Sequence, residues 1–224
     1  MIGERNHVEF AAGEEIFAEG DPGDRVFVID QGMVKITLRG AGGRTSMRAI
    51  LGPAEIFGEL AVLDQGPRSC SATAITDVRA RWLDRATLRT RLTEQPALAE
   101  QLLQVLARRL RDTDEERVGL LFGDVTGRVA GRLLELGRRF GTPEGPDCQA
   151  LRVSHHLSQD ELAQLVGADR ASINKALREF AAHGWIRVDG RSVVLLDAGE
   201  LTRRSSAGSS EQLSRRRRPL RATA

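Results

Sequence analysis

Between Glu9 and about Leu83 the sequence runs in short apolar stretches, RVFVID, MVKITL and ARWLD among them, separated by glycine or Gly-Pro punctuation at Gly13, Gly20, Gly23, Gly32, Gly40, Gly52-Pro53 and Gly66-Pro67. Turn signals at roughly 8–12-residue spacing predict an all-β sandwich or jelly-roll barrel. From Arg85 to Phe122 glycine nearly vanishes and the apolar period lengthens to that of a helix. A helix over about Pro96 to Phe122 would span ~40 Å. Along it Leu103, Leu106, Leu110, Thr113, Arg117 and Leu120 fall at alternating spacings of three and four, the seam of a two-stranded coiled coil interrupted by Thr113 and Arg117. That narrow stripe, flanked by Arg108, Arg109, Glu115 and Glu116, fits either a homodimer seam or packing on the chain's own barrel.

A mainly helical segment follows to about His183, interrupted near 141–150 by GTPEGPDCQA. Ser158-Gln-Asp-Glu161 reads as a capping box that starts a short helix ending at Gly167. Asp169 can cap a second helix from Arg170 to about Ala182, closed by Gly184. Helix, glycine turn, helix is the helix-turn-helix layout. Beyond it, Trp185 to Val188, then Asp189-Gly190, then Arg191 to Leu196 reads as a hairpin with a type I′ turn, the wing of a winged helix. The predicted fold class is α+β: a jelly-roll β-barrel over residues 1–95, a long dimerisation helix and hinge over 96–123, a winged helix-turn-helix over 124–201 and a basic disordered tail over 202–224.

Composition narrows the functional classes. At 224 residues, 41% hydrophobic and 29% charged, the chain is globular, and no apolar run approaches the length of a membrane span. With no signal peptide legible at the N-terminus, a cytoplasmic location is expected, with no membrane partner. Cys70 and Cys148 belong to no cluster, and His7 is the only histidine of the first half, the others being His155, His156 and His183. No metal, haem or iron–sulfur cluster is therefore expected, and an enzyme on the barrel would lack a nucleophile–base pair or ligand set. The net charge of +2 conceals a tail, 202–224, with seven basic residues and one acidic. Lys35 and Lys175 are the only lysines among 33 basic residues, a bias read mainly as GC-rich coding.

The densest chemistry lies in Phe57-Gly58-Glu59-Leu60-Ala61 and Gly66-Pro67-Arg68-Ser69-Cys70-Ser71-Ala72. Gly58 permits close backbone approach, and a short helix starting there would aim free N–H groups at an anion. Arg68 supplies a planar fork for a phosphate and Ser69 a hydroxyl donor. Glu59 repels phosphate but would accept from an adjacent sugar hydroxyl, which points to a nucleotide. A plain Glu59–Arg68 salt bridge remains the alternative.

These motifs resemble a family. FGELAVLDQGPRSCSATA is similar to the phosphate-binding cassette of the CRP/FNR family of bacterial transcription regulators. ARRL, Thr113 and FGDVTGRVAGRLLEL resemble its dimerisation helix and hinge, and SQDELAQLVGADRASINKAL its helix-turn-helix. The resemblance covers about residues 9–200 in order and is strongest to the actinobacterial cAMP-receptor branch. It implies a cyclic-nucleotide-binding barrel in which Gly58, Leu60 and Ala61 line the cyclic phosphate of cAMP, Glu59 takes the ribose hydroxyl, and Arg68 and Ser69 hold the phosphate. Thr113 and Asp114 would reach the adenine, with Gly43-Arg44 closing the other side. Asp114 stands where the family more usually has Ser or Asn; a carboxylate suits the adenine amine and opposes the guanine carbonyl. The chain also begins almost at its first expected strand, where relatives carry a short helix.

The implied mechanism is allosteric. Ligand would re-register the coiled coil, and a hinge at Phe122-Gly123-Asp124 would swing two recognition helices into major grooves ~34 Å apart. Double-stranded DNA, a second copy of the chain and RNA polymerase are the implied partners. Arg170 is placed to read guanine, with Ser172 and Lys175 toward phosphate or base edges. Ala171 stands where the family commonly has a Glu that reads cytosine, so that reading is lost unless Asn174 replaces it. A regulator that is ligand-independent, or answers another effector, is the rival reading.

Overall fold

The computed structural model describes residues 6–43, 45–145 and 150–206. They fall into two compact units, divided between Arg109 and Leu110.

In the first unit the alternation of buried and exposed positions builds eight strands: β1 (His7–Phe10), β2 (Glu15–Phe17), β3 (Arg25–Gln31), β4 (Val34–Arg39), β5 (Thr45–Leu51), β6 (Ile56–Phe57), β7 (Ser71–Ala74) and β8 (Val78–Asp84). They form two antiparallel four-stranded sheets, ordered β1-β8-β3-β6 and β2-β7-β4-β5. Both sheets line one core of Phe17, Phe27, Ile29, Val34, Ile36, Leu51, Phe57 and Ala72. Phe17, Phe27 and Phe57 stack at its centre, with ring centroids 5.1–6.2 Å apart. The predicted barrel is thus a pair of facing sheets, the sandwich form of the same topology. Between β3 and β4 the chain turns at Gly32 (φ +92°), where a Cβ would sit 2.2 Å from the Asp77 carbonyl, so no other residue fits there.

Helix α1 (Glu59–Leu63) lies between β6 and β7, and α2 (Arg85–Glu94) follows β8, capped by the Asp84 side chain on Thr87 N–H. Helix α3 (Pro96–Phe122) starts on a proline, whose missing N–H costs nothing in a first turn. On it Leu103 is 67% exposed, Leu110 64% and Leu120 55%. Leu106 and Thr113 are half-buried and Arg117 is exposed. Three of the four leucines of the stripe are therefore exposed in the single chain.

In the second unit α4 (Val125–Phe140) is capped by Asp124 and buries Val129, Ala130, Leu133 and Leu136. The second half of α3 is tied to it by Glu116–Arg132, at 2.8 Å. Helix α5 (Gln159–Val166) carries the expected capping box of Ser158 and Glu161, and α6 (Arg170–Ala182) is capped by Asp169. The segment read as an interruption between helices is instead paired: β9 (Gly141–Glu144) and β10 (Ala150–Ser154) join β11 (Ile186–Asp189) and β12 (Ser192–Leu195) in one sheet, ordered β11-β12-β10-β9. Only the partner strands reveal them, because four- and five-residue strands carry too little alternation of their own. The wing turn is shifted by one residue. Asp189 pairs with Ser192 across the loop Gly190-Arg191, and Gly190 alone has positive φ (+59°), so it is not the type I′ turn, which needs two such residues. Beyond β12, residues 198–206 form helix α7, with Leu201 fully buried. The chain expected to lose structure at Thr202 is therefore helical through Ser206; residues 207–224, with Arg215 to Arg218, lie outside the described residues, as does Cys148.

His155, 3% exposed, sits before α5 with Nδ1 accepting from Leu157 N–H at 3.1 Å. Burial, and secondarily His156, pulls its pKa down to about 4. Between that value and ~6.5 the unfolded chain binds the extra proton and the folded chain does not, so stability is lost as pH falls through this window. Denaturant unfolding of the second unit should lose about 2 kcal/mol between pH 7 and 5; His155→Phe should abolish most of that dependence.

Candidate ligand cassette and DNA-reading helix

In the first unit the loop from β6 enters α1 through Gly58, which takes a left-handed conformation (φ +76°) and offers no side-chain cap to the first turn. A Cβ at Gly58 would lie 2.6 Å from an Arg68 terminal nitrogen and 3.3 Å from the Arg25 carbonyl. Bare backbone there is what lets the arginine approach. Arg68 is only 4% exposed. Its terminal nitrogens donate to the carbonyls of Gly58 (2.7 Å) and Arg25 (2.8 Å), and its guanidinium lies 4.2 Å over the Phe17 ring. Its Nε is buried with no hydrogen-bond partner. Burial pulls the Arg68 pKa below the ordinary guanidinium value, against the nearby negative charge of Asp24.

Glu59 is also buried, at 4% exposure. It does not pair with Arg68. Its Oε1 accepts from Arg109 of α3 at 2.7 Å, and Arg109 donates as well to the Ile56 carbonyl. Sequence reasoning missed this partner, taking Arg109 for a charge flanking the seam. Its only signal is that it lies one helical turn before Thr113, on the same face. Of the other cassette residues, Ala61 is buried, whereas Leu60 (41%) and Ser69 are exposed. Thr113 is half-buried and Asp114 exposed; both lie in the second unit, and Arg44 is outside the described residues.

An orphaned buried guanidinium N–H, a left-handed glycine and a helix start without a side-chain cap together fit an anion ligand. The buried Glu59 carboxylate adds an acceptor for a hydroxyl. Among the described residues no group of His, Cys, Asp or Glu is placed to hold a metal ion.

In the second unit α6 exposes Arg170, Ala171 and Lys175, with Asn174 half-buried. Arg170 lies 3.6 Å from Asp160, and both side chains are well exposed. Ser172 is less free than expected, because its hydroxyl donates to Asp169 Oδ2 at 2.7 Å in the cap. Ala171, Asn174, Lys175 and the exposed Arg178 share one face at helical spacing, and Arg178 was absent from the expected set.

Cassette and reader together define a cyclic-nucleotide-binding domain joined to a Crp-like helix-turn-helix, and family models of those two descriptions match residues 7–95 and 127–204. The chain belongs to the CRP/FNR family of transcription regulators. It is 52% identical over 198 residues to the "CRP-like cAMP-activated global transcriptional regulator" of Mycobacterium tuberculosis, covering 88% of this chain and 87% of that protein. It is 34% identical to the "Cyclic AMP receptor protein" of Thermus thermophilus, over 86% of this chain and 84% of that one. Among solved structures, a CRP/FNR-family transcriptional regulator, also from Thermus thermophilus, is similar at 28% identity and TM-score 0.74, covering 89% of this chain and 98% of that one.

Removing Arg109 leaves Glu59 a buried carboxylate without its partner, the costly half of a buried ion pair. Arg109→Ala should destabilise the first unit by about 3 kcal/mol in denaturant unfolding, and adding Glu59→Gln should recover most of the loss.

Proposed function

We propose that the protein is a cAMP-responsive, DNA-binding transcription regulator that acts as a homodimer on two-fold symmetric operators. The observation that carries the reading is Arg68, a buried guanidinium with an unpartnered Nε beside the bare backbone of Gly58. Gly58, Leu60 and Ala61 would line the cyclic phosphate, Arg68 and Ser69 would bind it, and Glu59 would accept from the ribose hydroxyl, in competition with Arg109. Thr113 and Asp114 are the proposed adenine contacts. The uncovered Leu103, Leu110 and Leu120 support α3 as the dimer seam. The protein is not an enzyme in this reading, it works in the cytoplasm, and RNA polymerase is its third partner. No helix among the described residues is long and apolar enough to cross a membrane. The rival reading, another effector or none, keeps the fold and changes the occupant of the cassette.

Calorimetric titration of the purified protein with cAMP and cGMP, alongside light scattering that is expected to show a dimer, separates the two. Tighter binding of cAMP is expected, and Arg68→Ala should weaken it ~30–1000-fold, the equivalent of roughly 2–4 kcal/mol. Wild-type affinity in that variant would refute the cassette assignment.

At the operator, Arg170 is proposed to read a guanine, with Ser172, Asn174 and Lys175 toward neighbouring edges or phosphates. Ala171 has no acceptor for a cytosine amine, so the adjacent position should tolerate substitution or favour T·A. Binding selection on randomised half-sites should gain about 1–3 kcal/mol of discrimination there in Ala171→Glu.

A further inference from the structure

The junction between α3 and α4 is bound together by three arginines of the second unit. Arg132 joins Glu116 of α3 to Glu135 of α4, at 2.8 and 2.7 Å. Arg128 of α4 donates to the Gly123 carbonyl at 3.1 Å and to those of Val166 and Gly167, both at 3.2 Å, so it links the junction to the turn before α6. The third comes from the far end of the chain. Arg204 of α7 grips the Asp124 carboxylate in two places, at 3.1 and 2.7 Å, while Asp124 Oδ1 accepts from Gly127 N–H at 2.7 Å and so caps α4.

The surrounding packing holds this grip in place. Leu201 anchors α7 at zero exposure. A Cβ at Gly127 would sit 2.9 Å from Asp124 Oδ1 and 3.3 Å from the Arg204 carbonyl, and one at Gly131 would lie 3.8 Å from Ser205. The bare backbone of Gly127 thus admits the α7 backbone at Arg204, and Gly131 on the same face lies beside the Ser205 side chain. Arg203, one position away, points elsewhere, to Glu200 at 2.7 Å. Burial works against the charged form of Asp124, yet the hydrogen bonds from Arg204 and Gly127 hold its carboxyl below the usual carboxylate range.

We propose that Arg204 is a positioning residue: it fixes the Asp124 carboxylate at the start of α4 and thereby stiffens the junction through which α3 acts on the winged helix. The first clause stands on geometry alone; the second rests on the regulator reading. A signal carried by α3 moves the winged helix only if the connection between them does not yield. A loosened junction lets the winged helix take its orientation independently, and the ligand's effect on DNA binding shrinks.

Two measurements on the full-length protein test the two clauses. In Arg204→Ala, hydrogen exchange at the Gly127 and Arg128 amides should quicken about tenfold while amides of α5 and α6 keep their rates, and Arg204→Lys should restore part of the protection. Asp124→Asn retains a capping oxygen but loses the ion pair; it should match Arg204→Ala, and the double variant should be no worse than either. Unchanged exchange at Gly127, equal acceleration throughout the unit, or additive effects would overturn the positioning role. For the second clause, the ratio of DNA affinities with and without cAMP should fall at least fivefold (about 1 kcal/mol) in Arg204→Ala, with cAMP affinity itself unchanged. A wild-type ratio in the variant overturns the coupling role. A wild-type protein with no cAMP effect on DNA overturns the regulator reading instead, and the exchange measurement still decides whether Arg204 positions Asp124.

Discussion

A guanidinium can be taken out of water only where carbonyls or anions replace its hydration, and Arg68 meets that condition with two backbone carbonyls, an aromatic face and one N–H left over. The local architecture of the first unit follows from this requirement. Gly58 must lack a side chain because the arginine occupies the space; β3 must present the Arg25 carbonyl; and the long 58–68 connection must fold back so that Arg68 returns under the start of α1. Arg85 Nε is buried and unpartnered as well, so the incomplete set of partners marks Arg68 only together with the bare backbone of Gly58 and the neighbouring buried Glu59. A fully paired arginine would be inert, whereas one with a buried donor still free gains by meeting an anion.

Much of the fold was legible from apolar periodicity and capping chemistry. The strands around RVFVID, MVKITL and ARWLD, the glycine-poor stretch of α3, the Ser158–Glu161 capping box and the Asp169 cap all form where local chemistry put them. The errors share one cause. β10 exists through pairing with β12 and β9 through pairing with β10, the wing turn slid by one residue to suit its strand register, and Arg204 of α7 pairs with Asp124, 80 positions earlier. Information of that kind resides in the partner segment, and no local window contains it.

The candidate site was legible unevenly for the same reason. Gly58, Glu59, Arg68 and Ser69 lie within 12 residues, so their spacing carried the motif. Their pairing was not legible. Glu59 and Arg68, opposite in charge and close in sequence, invite a salt bridge, yet each is satisfied elsewhere: Arg68 by carbonyls, Glu59 by Arg109, fifty positions away. Keeping the two apart leaves the Arg68 Nε donor unpartnered and ties Glu59 to the side chain of Arg109 instead.

The arginine bias reads at first as an accident of coding, and for exposed positions nothing more is needed. At Arg68, Arg128, Arg132 and Arg204 it has structural content. Each of these side chains spans two or three acceptors at once: backbone carbonyls of separate segments for Arg68 and Arg128, carboxylates on different helices for Arg132, and both oxygens of one carboxylate for Arg204. A planar fork with five donors does this in one rigid geometry, whereas a lysine ammonium meets the same acceptors only as a mobile point charge. Coding pressure supplies the residue everywhere, and the fold uses it where a ligand or a junction needs several backbone or carboxylate oxygens held in fixed relation. Neutral substitution by lysine is therefore expected along the exposed faces of α2 and α3 and not at these four positions, whatever their share of the total charge.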